Sequence, residues 1–280
     1  MKLTLTRDAE EFGVRTGDLF ESRVECNLIA TVSAGVIAGR YPRSEPLFAY
    51  GTENGVVRFA ALRTPPWDML ATDIDQATAD EFVRRWLQAD PGLPGVGGPA
   101  QAARPIATAW TKRTGGTARC RMRELAYVLE RVTGPAKPAT GSLRHAREDE
   151  RSLMLEWMEA FGRESGAVPE ERAEVIVDAR AADQGLWVWD SDGPVSMLGT
   201  APPVAGTVRV GPVYTPPEHR RRGYAGTAVA AASRQALDQG ARRCLLLTDA
   251  SNPTSNKIYA EVGYCRVGEH EEWEFSQLAP

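Results

Sequence analysis

One stretch governs how this 280-residue chain can be divided. Val132-Thr-Gly-Pro-Ala-Lys-Pro-Ala-Thr-Gly141 places two prolines and two glycines directly after a strand-like run, Arg123 to Arg131. Residues of this kind punctuate a chain and do not continue a strand or helix. The sequence therefore predicts two domains, 1–135 and 142–280, joined by a linker at 136–141. Each half then has close to the roughly 150 residues that a domain commonly takes.

Both halves alternate helical and strand periodicities, which predicts the α/β (α+β) class. In the second half, 142–146 reads as a short strand and Glu148-Asp149-Glu150 suits the first turn of a helix, where the dipole favours acids. A second helix is expected after Pro169. Strands are expected at Leu186–Trp189, Pro194–Gly199 and Thr207–Thr215, then a long helix over Gly223–Gln239. A buried strand at Cys244–Thr248, a short helix at Thr254–Val262 and a final strand around Trp273–Phe275 complete the half. The first half reads as helices near 8–17 and 20–31, strands near 46–51 and 56–73, helices near 76–89 and 99–113, and a strand near 120–132. Gly95-Val-Gly97-Gly-Pro-Ala100 fits a dinucleotide fingerprint in letters only. Asp90-Pro-Gly-Leu-Pro94 precedes it where an apolar strand should, so a tight turn into a helix is expected there.

Apolar residues are 42% and charged residues 25%, the balance of a folded globular protein. A net charge of -4 supplies no global field for nucleic acid, so no nucleic-acid partner is expected. The opening MKLTLTRDAEEFG lacks the apolar core of a secretion signal, and Cys26–Gly39 is too short and too polar to span a bilayer. A cytoplasmic protein with no membrane partner is the expectation. Cys26, Cys120, Cys244 and Cys265 are far apart and the three histidines form no ligand pair, so no metal is expected.

The chemistry concentrates in Val208-Arg-Val-Gly-Pro-Val-Tyr-Thr-Pro-Pro-Glu-His-Arg-Arg-Arg-Gly-Tyr-Ala-Gly-Thr227, a strand that runs into an Arg/Gly loop opening a long helix. Helix N-terminal amides are unpaired and sit at the positive end of the dipole. Small residues at Gly223, Ala225 and Gly226 allow close approach, and Arg220, Arg221 and Arg222 add charge. Together these make a phosphate or pyrophosphate cradle. No G-K-[ST] follows, so it is not a Walker loop.

Arg220-x-x-Gly223-x-Ala225 resembles the R/Q-x-x-G-x-G/A signature of the GNAT N-acetyltransferase superfamily. Asn252-Pro-Thr-Ser255-Asn-Lys-Ile-Tyr259-Ala-Glu-Val-Gly-Tyr264 is similar to a second motif of that superfamily, in the same order and at suitable spacing. The resemblance covers about 141–280 and implies a mixed central sheet flanked by helices, with acetyl-CoA as cosubstrate. It implies that Val213, Tyr214 and Thr215 end a splayed strand that pairs with pantetheine, the Val213 amide polarising the acetyl carbonyl. Arg220, Arg221, Arg222, Gly223, Tyr224, Ala225 and Gly226 would serve the pyrophosphate, and Asn252 and Ser255 the pantetheine arm. Tyr259 falls where the family places the acid that protonates the departing thiolate.

The base that must deprotonate an acceptor amine is not evident; Asp249 and Glu156 are candidates. Trp157, Trp187 and Trp189 have spacings that suit either core or an acceptor wall. In the first half, Thr72-Asp-Ile-Asp-Gln-Ala77 sets acids where phosphate binding needs glycine and arginine, and helix 99–113 lacks the Asn…Tyr pair. That half reads as a degenerate, cofactor-incompetent GNAT-like domain in a tandem arrangement. The leading expectation is an N-acetyltransferase acting by direct attack on acetyl-CoA of a primary amine borne by a small molecule or peptide. An acyl-CoA-binding regulator without turnover, or transfer of a longer acyl group or to a hydroxyl, are the alternatives. A homodimer is compatible with all of these.

Overall fold

The computed structural model describes residues 1–41, 44–166, 168 and 170–277. Its elements form two successive runs. The first is β1 (Lys2–Thr6), α1 (Ala9–Ser22), α2 (Asn27–Ile37), β2 (Leu47–Glu53), β3 (Val56–Arg63), β4 (Met69–Ala71), α3 (Gln76–Ala89), β5 (Gly95–Pro99), α4 (Ala100–Thr114) and β6 (Thr117–Leu129). The second is β7 (Ser142–His145), α5 (Arg151–Ser165), α6 (Glu170–Ala182), β8 (Leu186–Asp190), β9 (Pro194–Thr200), β10 (Thr207–Tyr214), α7 (Tyr224–Asp238), β11 (Arg243–Asp249), α8 (Pro253–Val262) and β12 (Cys265–Ser276). Strand, two helices, three strands, helix, strand, helix, strand is the order of both.

Two compact units result, but they are not the two halves of the sequence. One comprises Met1–Leu125 with the segment starting at Gly268; the other is Ala126–Val267. The divisions fall inside β6 and β12 and not in the Pro/Gly-rich 136–141 segment expected as the linker. A cut at that segment would strip Ala126–Leu129 from the second unit and the outer part of β12 from the first.

In the first unit β1 to β4 pair antiparallel in sequence order, β4 pairs parallel with β5, and β5 pairs antiparallel with β12 through His270↔Pro99 to Glu274↔Gly95. In the second, β7 to β10 are antiparallel and β10 runs parallel to β11. Strand pairing is thus mixed in each unit, as expected, with helices packed on the strands. The first core gathers Phe59, Phe82, Trp86, Ile106 and Trp110, and the second gathers Met154, Trp157, Met158, Val177, Val188 and Met197. Aromatic and branched side chains of this size supply most of the apolar area that holds such layers together.

Several boundaries differ from the sequence expectation for identifiable reasons. The 56–73 stretch breaks into β3 and β4 around Pro65-Pro66, because proline has no amide to give to a ladder. Arg23 adopts an extended conformation and stops α1, which shifts the second helix to Asn27–Ile37. Lys2–Thr6, not expected as a strand, pairs with β2 along its whole length. Gly95–Pro99 is a strand and not a turn. A Cβ on Gly95 would stand 2.3 Å from the Trp273 carbonyl oxygen, so close strand packing explains that glycine. Among the described residues no helix is long and apolar enough to cross a membrane.

Candidate functional site

β10 begins as an ordinary parallel partner of β11 and then leaves it. The ladder runs from Thr207↔Arg243 to Arg209↔Leu245, while β10 continues to Tyr214 and β11 to Asp249. Gly211, at φ +134, and Pro212 stand where the ladder of β10 with β9 shifts register, between Val210 and Val213. Proline has no amide and glycine accepts that backbone, so the sequence produces a bulge at this point. Beyond it, among the described residues, β10 pairs with β9 alone, through Val213↔Leu198 and Tyr214↔Met197. The Tyr214 carbonyl accepts from Ser196 Oγ of β9 at 2.9 Å. Since successive residues of a strand aim their amides at opposite edges, the Val213 N–H is turned to the open edge.

Past β10 the chain makes a loop into α7. Arg221 (φ +63) and Gly223 (φ +80) are both left-handed, a pattern that turns successive amides to one side. Gly223 is the N-cap of α7 and no side chain caps the helix. The first bonded amide is that of Thr227, which donates to the Gly223 carbonyl at 3.1 Å. Among the described residues no hydrogen bond fills the N–H groups of Arg221 through Gly226. Arg221 and Arg222 are exposed at this helix start, and among the described residues neither is ion-paired. Arg220 differs: its side chain is held by Glu164 and by the Thr215 carbonyl.

α8 begins at Asn252, whose side-chain oxygen accepts from the Ser255 N–H at 3.1 Å. Asn252 and Ser255 are therefore coupled through a helix cap. One turn on, Tyr259 is 9% exposed, its ring edge-on to Tyr264 at 6.2 Å. Burial pushes its hydroxyl up to about 12. The phenol is protonated throughout the physiological range and available as a donor.

The other sequence candidates divide. Asp249 Oδ1 accepts from the Ser251 amide and hydroxyl, each at 2.8 Å, so it organises the turn between β11 and α8. Glu156 is exposed on α5. Trp157, Trp187 and Trp189 are core. Trp187 Nε1 donates to Thr200 Oγ1 and Trp189 Nε1 to the Thr140 carbonyl, so those two indoles are engaged within the protein. Sequence reasoning missed Glu164, whose last-turn position on α5 carries no motif. Among the described residues no group of three His, Cys, Asp or Glu could hold a metal ion.

Known proteins share this fold. Residues 150–264 match the model of the acetyltransferase (GNAT) family. A search of curated proteins gave no match. Among solved structures, a GCN5-related N-acetyltransferase from Sphaerobacter thermophilus is 15% identical with a TM-score of 0.59, covering 99% of this chain and 96% of its own. A tandem GNAT protein from the clavulanic acid biosynthesis pathway is 14% identical with a TM-score of 0.57, covering 100% and 99%. A Drosophila protein reaches a TM-score of 0.66 at 12% identity, covering 98% of both chains. At these identities the structures establish the fold.

Proposed function

From a chain that has the GNAT-superfamily acetyltransferase fold, with that family's domain in its C-terminal half, we propose an acetyl-CoA-dependent N-acetyltransferase acting on a primary amine of a small molecule or peptide. The observation that carries the reading is the coincidence of an open strand edge, an uncapped amide-lined helix start and a buried neutral phenol on elements adjacent in sequence.

Bound acetyl-CoA would supply a thioester carbonyl, the group that an amine attacks. The chain's residues have separable tasks. Amides of Arg221 to Gly226 hold pyrophosphate oxygens, with Arg221 and Arg222 adding charge. A phosphate suits this place because, among the described residues, nothing satisfies those donors. The free edge of Val210–Tyr214 offers backbone groups to pantetheine amides, with Asn252 and Ser255 flanking that arm. The Val213 N–H donates to the oxygen that becomes negative as the carbonyl is attacked, a contact that strengthens with the developing charge. The Tyr259 hydroxyl gives its proton to the departing sulfur. Burial, which pushes it up to about 12, keeps that proton in place before the thiolate leaves.

The first unit serves as a GNAT-like domain without cofactor. Calorimetry with CoA, followed by an amine panel scored by free-thiol release, tests the whole reading. Binding together with thiol release is expected. Failure of the intact protein to bind CoA overturns it, and binding without release for any amine would leave an acyl-CoA-binding protein.

A further inference from the structure

Three side chains meet at the open end of β10. Glu164, in the last turn of α5, accepts from the Tyr214 hydroxyl at 2.9 Å and from Arg220 Nη2 at 2.7 Å. Arg220 also donates through Nε to the Thr215 carbonyl at 2.8 Å, and its guanidinium lies 5.6 Å from the centre of the Tyr214 ring. One carboxylate thus joins the end of the splayed strand to the first residue of the amide-lined loop. Burial and the bond to Glu164 raise the Tyr214 hydroxyl, which stays a donor.

The first unit contains the same tie with its charges reversed. Arg23, the residue that stops α1, is ion-paired with Asp73 in the segment between β4 and α3. In both units the end of the first helix holds the segment that leads from the parallel strand into the next helix. The tie survives with either polarity, so its role is geometric.

We propose that Glu164 is a positioning residue of the cofactor cradle, fixing the Arg220–Gly223 loop to the end of β10 through Arg220 and Tyr214. This rests on the acetyl-CoA reading above. It reassigns Arg220, the first residue of the loop motif, from phosphate ligand to strut and leaves Arg221 and Arg222 as the phosphate cations.

The pair is about half exposed, 40% for Arg220 and 47% for Glu164, so solvent screens it and the effect is moderate. Glu164→Ala should raise the Kd for CoA by about three- to tenfold and the KM for acetyl-CoA in step, with kcat changed less than about twofold. Arg220→Ala should do the same, and the double variant should be no worse than either single one, because both remove one tie. Glu164→Arg with Arg220→Glu, which copies the polarity of the first unit, should recover most of the affinity. A merely structural pair would lower melting temperature without this split between KM and kcat. Wild-type Kd in folded Glu164→Ala, or multiplicative losses in the double variant, overturns the inference. Should Glu164→Ala unfold at the assay temperature, Glu164→Gln keeps an acceptor for Tyr214 and removes only the charge. A rise of about twofold in Kd is then expected, and no change overturns the inference. An unaltered protein that fails to bind CoA sinks the acetyl-CoA reading and the inference together. Normal binding by both proteins sinks the inference alone.

Discussion

In the second unit β10 runs five residues past its last pairing with β11, from Val210 to Tyr214, and leaves an edge of free backbone. The matching strand of the first unit, β4, has three residues, and β5 presses directly on its end. A Cβ on Gly98 would stand 2.4 Å from the Ala71 carbonyl oxygen. The helix starts differ in the same sense. α7 begins at a left-handed glycine with no side-chain cap, whereas the Asp75 carboxylate caps α3 and accepts from the Thr78 amide at 2.9 Å. The last helices differ too: the seventh residue is Tyr259 in α8 and Ile106, buried in core, in α4. One order of elements therefore supports both a closed sheet and an open site, and a few positions decide between them. The largest effects are expected where those positions touch chemistry.

Tyr259→Phe makes the second unit resemble the first at the position proposed as proton donor while keeping the ring. Turnover should fall by roughly 10²–10⁴-fold, the usual scale of general acid catalysis, and nearer its lower end because a thiolate is a good leaving group. CoA affinity and melting temperature should stay close to wild type, because among the described residues the hydroxyl makes no hydrogen bond that would be lost. With the phenol at about 12, ionisation of Tyr259 should cause no loss of rate between pH 7 and 10. Its neutral form is the active one and is lost only as pH rises through that value. A folded variant with near-native turnover would refute the role.

Gly223→Val attacks the helix start. At φ +80 a branched residue pays about 1–2 kcal/mol of backbone strain, and straightening the loop would scatter the amides. The Kd for acetyl-CoA should rise about tenfold or more, measured by calorimetry. An unchanged Kd would remove the cradle from the site.

Much of this contrast was legible in the sequence. The Arg/Gly loop and the acids at 73 and 75 are local signals, and each acts through its own backbone or charge. Trp187 and Trp189 were ambiguous because an indole's partner, here Thr200 or the Thr140 carbonyl, lies on another segment. The same holds for Glu164, which is one of many helical glutamates until folding brings Tyr214 and Arg220 to it. The division inside β6 and β12 was illegible for a related reason. Pro and Gly mark where a chain turns, but strand pairing decides which unit a strand belongs to.

The smallest expected effect lies on the closed side of the comparison. Asp75→Ala removes the α3 cap, which should cost about 1 kcal/mol of stability at pH 7. It should leave CoA affinity unchanged, because the closed β4–β5 edge remains. The Thr78 hydroxyl, and after it the Thr78 amide, hold the Asp75 carboxyl below its ordinary 3.8. A carboxyl depressed by folding stabilises most at pH values above its unfolded pKa and loses that contribution as pH falls through the folded value. The gap between wild type and variant in urea melts should therefore be full at pH 5 to 7 and shrink below pH 3.8. The side chain is well exposed, so the pH-dependent part should be a modest fraction of the whole. A gap undiminished in acid would mean that the cap acts without its charge. New CoA binding by the variant would mean that the acidic cap, more than strand closure, keeps phosphate out of the first unit.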